Sequence, residues 1–222
     1  DAPAEAAVRA AAAVELIHAA TLVHDDVLDG AALRRGRPTV WATAGRLMAT
    51  ATGDLLFSRA FAELAANDDA EQIRALSRAS SALAAGELAQ REDAWNASIT
   101  VERYLWRCEL KTGRLFEAAC RLGARVGGAD GEALAAFGRR IGLAFQLLDD
   151  VLDVSGPVER TGKHRGTDLL DGTVTLPFLL ARERDPALAA IAPRSITTPK
   201  RAAEILDAIA ATGALDEART RA

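Results

Sequence analysis

The pentapeptide Asp25-Asp26-Val27-Leu28-Asp29 returns letter for letter as Asp149-Asp150-Val151-Leu152-Asp153. Each copy closes a largely apolar run, Ala19 to Val23 before the first and Ile141 to Leu148 before the second. On a helix the first and last aspartates of each copy stand one above the other, and the middle one projects about 100° round the axis. Stacked carboxylates repel, by roughly 0.2–0.5 kcal/mol at an exposed site. The penalty grows where they end a buried helix. A single run of this kind is ordinarily a solvated helix face. Two identical runs followed by bases are not: Arg34, Arg35 and Arg37 follow the first, and Arg160, Lys163, His164 and Arg165 the second. Facing each other across a bundle, they would gather about six carboxylates around cations. Hard oxygen donors that leave room for water and phosphate suit Mg²⁺. Acids beside bases make a site for metal-bound phosphates.

Composition sets the frame. The chain has 222 residues, half of them hydrophobic but only 5% aromatic, and its Ala-rich apolar stripes read as helix nearly throughout. A net charge of −4 has the wrong sign for nucleic acid as the main partner. No 18 apolar residues run without interruption, so no membrane span is expected. The sequence shows no signal-peptide pattern, and it begins at Asp1 rather than Met, so an original N-terminus is expected to be missing. Cys108 and Cys120 fall twelve apart in one helical region, about 18 Å if that helix is continuous. That exceeds disulfide reach, and a reducing cytoplasm is the default location. Three histidines and two cysteines make a zinc site improbable.

Residues 3–29 read as one long helix, with His18 two turns before Asp25 on nearly the same face. Gly30 to Thr39 is a loop carrying Arg34-Arg35-Gly36, where guanidinium forks match phosphate oxygens. Further helices are predicted over 40–66, 70–92, 99–126 and 131–154. Lys111-Thr112-Gly113 lies inside the fourth, where Thr and Gly both cost helix stability. Such a local departure marks a place to look for function. Phe145-Gln146 comes one turn before Asp149. A basic, lid-like segment runs from Glu159 to Gly172, Thr173 to Pro177 opens another helix, and the remainder is helical pattern interrupted by Pro186, Pro193 and Pro199. No domain boundary is evident. The whole is expected to be a single all-α bundle, residues 1–222.

These residues, taken in order, resemble the trans-isoprenyl diphosphate synthase (polyprenyl synthetase) family over essentially the whole chain. The resemblance rests on Glu15-Leu16-Ile17-His18, His24 to Asp29, Arg34-Arg35-Gly36, Gly53-Asp54, Gly86 to Gln90, Lys111-Thr112, Phe145 to Asp153 and Gly162-Lys163. It implies one helical bundle around a deep central cavity, a homodimer, and condensation of isopentenyl diphosphate head to tail with an allylic diphosphate. Asp25, Asp29 and Asp149 then bind Mg²⁺ most directly, and Asp26, Asp150 and Asp153 complete the acidic walls. Arg34, Lys111 and Lys163 hold the allylic diphosphate, Arg35 and His18 the isopentenyl diphosphate, and Thr112 and Gln146 face the reacting carbons. Small residues below Asp25 (Thr21, Ala20 and then Ile17) resemble the longer-chain enzymes, so all-trans polyprenyl products beyond farnesyl are expected.

Two features depart from the family pattern. Its upstream Gly-Lys-x-x-Arg segment has no counterpart here, as if the N-terminal helix were missing, and a protein truly lacking that helix is expected to be catalytically poor. Thr173 stands where the family often has Lys. The alternatives are a geranylgeranyl diphosphate synthase of shorter product, a terpene cyclase, a non-catalytic partner subunit of a heteromeric synthase, and a plain helical scaffold, which would not explain duplicated acids beside paired bases. Cyclases usually carry a different second motif, and silent subunits tend to lose their acids.

Overall fold

The computed structural model describes residues 2–156 and 165–222. Among these the fold is all-α, apart from one hairpin of two-residue strands. The chain divides into two compact units, Asp1–Ala82 with Arg114–Arg139 and Leu83–Gly113 with Arg140–Ala222.

The first unit is organised by α1 (Ala2–Asp29) and α2 (Val40–Ala65). On α1, Ala10, Ala13, Ile17 and Ala20 recur at three- and four-residue intervals and are buried. On α2, Ala49, Gly53, Ala60 and Leu64, spaced by four and seven residues, are buried as well. These small side chains let the two helices pack side by side, and each large one buried, such as Ile17 or Leu64, contributes about 1.5–3 kcal/mol. Residues Ala4–Asp29 are long and apolar enough, at a mean hydropathy of 1.5, to cross a membrane by length and composition. Interruptions kept this helix below a strict count of uninterrupted apolar residues. In the structure its buried ladder packs against α2. Gly45, with φ 78°, kinks α2 one turn after its start.

The expected loop between α1 and α2 is instead a tight antiparallel hairpin, β1 (Leu33–Arg34) and β2 (Arg37–Pro38), pairing Leu33 with Pro38 and Arg34 with Arg37. Its two turn residues, Arg35 and Gly36, both have positive φ (51° and 75°), the condition for a turn whose twist matches the strands. Helix α3 (Ala70–Glu92) begins in the first unit, which also holds α5 (Arg114–Val126) and the start of α6 (Gly131–Ser155). A Cβ on Gly138 of α6 would lie 2.5 Å from the Phe116 carbonyl oxygen of α5, so only glycine permits that approach.

In the second unit the expected helix over 99–126 is broken. Thr100 caps α4 (Val101–Cys108), accepting from Arg103 N at 3.1 Å. A π-helical turn over Glu109–Gly113 follows before α5 begins. The core joins Tyr104 and Cys108 of α4, Leu147, Val151 and Val154 of α6, Leu169 of α7 (Thr167–Leu170) and most of α8 (Leu176–Arg184). Pro186, Pro193 and Pro199 each open an element, namely α9 (Pro186–Ala189), a 3₁₀ turn and α10 (Pro199–Ala211). Proline's fixed φ and missing N–H suit the first helical position. Gly213, with φ 74°, ends α10 and leads into α11 (Ala214–Arg221).

Arg107 is wholly buried here. Its Nη2 donates to the Val174 carbonyl at 2.6 Å, and its Nη1 stands 3.5 Å from Asp93 Oδ2. Trp95 N donates to the Gly172 carbonyl at 2.8 Å, and a Cβ on Gly172 would fall 2.3 Å from the Trp95 ring. These contacts fix the path of the chain from Gly172 through Thr173 into α8.

Candidate active site

The first acidic triplet occupies the last turn of α1. Gly30 (φ 63°) ends the helix, and Ala31 N returns to the Asp26 carbonyl at 3.0 Å, the closing bond of a Schellman motif. Asp26, the middle aspartate, is buried, and Arg34 Nε donates to its Oδ1 at 2.8 Å. Asp25 is half-buried and Asp29 exposed, the arrangement that 100° per residue imposes on adjacent aspartates. The hairpin divides its arginines: Arg34 turns back onto Asp26, whereas Arg35 stands exposed at the tip.

At about 100° per residue, His18 lies about 20° and Thr21 about 40° from the line of Asp25 along α1. Ile17 is about 80° away and Ala20 about 140°. Accordingly His18 is half-buried on the open side, Thr21 is 7% exposed, and Ile17 and Ala20 are fully buried. Of the three residues read as controlling chain length, Thr21 lies nearest the acids' own face.

The second triplet repeats the division. Asp150 is buried, while Asp149 is exposed and Asp153 half-buried. Both oxygens of Asp150 are occupied: Tyr104 donates its hydroxyl to Oδ2 at 2.6 Å, and Gln146 Nε2 donates to Oδ1 at 2.8 Å. Gln146 in turn accepts from the Thr112 hydroxyl at 2.7 Å. Burial, and then the charge of Asp168, push the Asp150 carboxyl up to about 7, against the pull of its two hydrogen bonds. Burial and the nearby Asp150 charge hold the Tyr104 phenol well above its ordinary range, and they raise the Cys108 thiol to about 12.

Lys111 and Thr112 both sit on the π-helical turn, a distortion found often at functional sites. Lys111 Nζ pairs with Glu87 Oε2 at 2.6 Å. A Cβ on Gly86 would lie 2.6 Å from Lys111 N, so glycine at 86 is what lets α3 approach this turn. Lys163, Arg160 and His164 lie outside the described residues, as does the first part, 159–164, of the basic segment read as lid-like.

Sequence reasoning gave no role to Tyr104, Glu87, Asp168, Asp93 or Arg107. The chain's one tyrosine, seven residues before Lys111 in a helix, was the available signal.

The donor set fits a hard divalent cation. Neither α1 nor α6 has a base in its last turn, where helix dipoles already favour positive charge. The outer carboxylates offer only oxygen, the donor Mg²⁺ prefers. No three His, Cys, Asp or Glu side chains among the described residues are gathered closely enough to hold an ion unaided.

A family model described as polyprenyl synthetase matches residues 1–211. The chain belongs to that family. It is 40% identical over 212 residues to heptaprenyl diphosphate synthase component 2 of Geobacillus stearothermophilus, covering 93% of this chain and 66% of that one. It is equally 40% identical over 187 residues to geranylgeranyl diphosphate synthase of Methanosarcina mazei, covering 79% and 56%. The solved structure of a polyprenyl synthase from Caulobacter crescentus, complexed with calcium and isoprenyl diphosphate, superposes with a TM-score of 0.89 at 37% identity, covering 98% of this chain and 72% of that one. This polyprenyl synthetase family chain therefore spans less than two thirds of the length of the two curated relatives.

Proposed function

We propose that this protein is a trans-polyprenyl diphosphate synthase, condensing isopentenyl diphosphate with an allylic diphosphate. The observation that carries the reading is the matched division of the two triplets. In each, the middle aspartate is buried and hydrogen-bonded into the protein, and the outer two are less buried and share one face of the helix. Asp25, Asp29, Asp149 and Asp153 are the residues we assign to Mg²⁺. Bound there, Mg²⁺ neutralises the charge that grows on the diphosphate as the allylic C–O bond breaks.

The chain's own residues do the rest. Arg34, Lys111 and Lys163 bind the allylic diphosphate, and the guanidinium and ammonium groups stabilise the departing anion. Arg35 and His18 bind isopentenyl diphosphate. Thr112 donates its hydroxyl hydrogen bond to Gln146, which leaves the hydroxyl lone pairs to face electron-poor carbon. Lys111, held by Glu87, approaches the diphosphate from a backbone that the π turn fixes. Preorganised donors of this kind avoid reorganisation during the reaction.

The length of the product is not set by overall identity, because relatives named for heptaprenyl and geranylgeranyl products are equally similar. The small Thr21 supports a product longer than farnesyl. A homodimer is supported by the exposed apolar side chains of α2, with Leu47 81% and Leu55 62% accessible. The two free thiols suit the reducing cytoplasm. A second reading follows from the relative named as component 2 of its synthase: this chain is the acid-bearing subunit of a two-component enzyme. Both triplets are complete, which argues against a silent subunit.

The test is to incubate the full-length protein with isopentenyl diphosphate, an allylic primer and Mg²⁺ and then size the products. Linear prenyl diphosphates support the synthase. Cyclic hydrocarbons overturn it in favour of a cyclase, and activity that appears only with a partner selects the two-component reading.

A further inference from the structure

The Gly53-Asp54 pair marks the family resemblance but takes no part in the chemistry above, and the structure gives it a task. We infer that His24, seated by Gly53, is a positioning residue that fixes the rotation of the last turn of α1 and so aims Asp25 and Asp29. The inference rests on those two aspartates being the metal-binding pair.

His24, half-buried, stands at the next step of the α1 ladder after Ala20, on the side facing α2. Its Nε2 lies 3.2 Å from the Thr50 carbonyl oxygen and 3.4 Å from Asp54 Oδ1. A carbonyl can only accept, so Nε2 carries the proton and donates. The ring also stacks on Phe57, with centroids 5.8 Å apart and planes at 25°. A Cβ on Gly53 would fall 2.2 Å from Nε2 and 2.4 Å from Cδ2. The imidazole therefore occupies the space a side chain at 53 would need. Contacts with Thr50, Gly53, Asp54 and Phe57 hold one ring from two turns of α2.

Such a seat answers a local problem. The last turn of a helix lacks part of its hydrogen bonding and frays. This one also carries three aspartates at the negative end of the helix dipole. Repulsion would splay Asp25 from Asp29 unless the turn were anchored. The bond from Ala31 N to the Asp26 carbonyl closes the far side of the turn, and His24 pins the near side, one residue from Asp25. Groups that orient metal ligands in this way are typically worth 10–100-fold in metal affinity.

The experiment compares full-length wild type with His24→Leu, His24→Gln and Gly53→Ala. Mn²⁺ binding in the presence of inorganic diphosphate is followed by electron paramagnetic resonance, beside the Mg²⁺ midpoint of turnover, the isopentenyl diphosphate KM and the unfolding midpoint. The expected result is a rise of about tenfold in both metal midpoints for His24→Leu and Gly53→Ala, with isopentenyl diphosphate KM unchanged. His24→Gln, which retains an N–H for the Thr50 carbonyl, should recover most of the loss. Metal midpoints that stay at wild type in folded variants overturn the inference. So does a uniform decline of every parameter with the unfolding midpoint. Should His24→Leu fail to fold, the contrast between His24→Gln and Gly53→Ala decides. An inactive wild type whose Mn²⁺ binding still depends on His24 defeats the synthase reading and leaves this one standing.

Discussion

The Tyr104 hydroxyl donates to Asp150 across 46 residues of sequence, at 2.6 Å and in full burial. It is what allows a carboxyl with no solvent of its own to sit beneath the second acidic face. Removing it leaves an acceptor buried and half-satisfied. Tyr104→Phe should therefore destabilise the protein by about 1–3 kcal/mol, the usual cost of leaving a buried acceptor unsatisfied. Urea unfolding measures this, and a variant as stable as wild type would show that the bond is not formed in solution.

Within each triplet, position predicts the kind of damage. Asp25→Asn, Asp29→Asn and Asp149→Asn should keep the unfolding midpoint and lower turnover by about 10²–10³-fold, as the loss of one charge-stabilising group does. Asp26→Asn should instead cost about 1–3 kcal/mol of stability, because it removes the buried negative charge that Arg34 pairs with and leaves only a neutral acceptor. Parallel assays of turnover and denaturation separate the two classes. Equal stability losses at Asp25 and Asp26 would contradict the division.

Chain-length control should reside at Thr21 more than at Ala20. Thr21→Phe places a ring about 40° from the line of Asp25 and should shorten the product by at least one isoprene unit. Ala20→Phe drives the same ring into a fully buried seam of α1, where overpacking costs about 1–3 kcal/mol. Product sizing and thermal melts of both variants decide the matter, and an unchanged product from Thr21→Phe places the floor elsewhere.

Thiol chemistry offers a quick check of the second unit's core. Cys108 is buried with its thiol pushed up to about 12, so it stays protonated, and inert to alkylation, through pH 9. Cys120 is only half-buried. Iodoacetamide at pH 8 should label Cys120 alone in the native protein and both cysteines after denaturation, read by peptide mass spectrometry. Native labelling of Cys108 would mean that the Tyr104–Cys108 region opens.

Much of this was legible in the letters. Ala-rich stripes and Gly or Pro breaks placed α1, α2, α3 and α6 to within a residue or two, since helix periodicity and its terminators are local properties. The repeated aspartates announced themselves because helical spacing alone puts the outer two on one face. The hairpin was not legible: its strands are two residues long, and its first left-handed position holds Arg35, not the expected Asn or Gly. Lys111-Thr112-Gly113 marked itself as poor helix, yet propensity cannot distinguish a π turn from a bend. The π turn packs closely against Gly86, which is remote in sequence. Tyr104 and Asp150 were unreadable as partners for the same reason, and the roles of the middle aspartates emerged only with their neighbours in view.

Arg35 carries one more implication, for anyone who would engineer this protein. A residue with a Cβ held at φ 51° costs about 1–2 kcal/mol relative to glycine, so any search for greater heat tolerance will propose Gly or Asn at that tip. Accepting the proposal would exchange the guanidinium for robustness, and the added stability would come at the expense of the diphosphate contact proposed for Arg35.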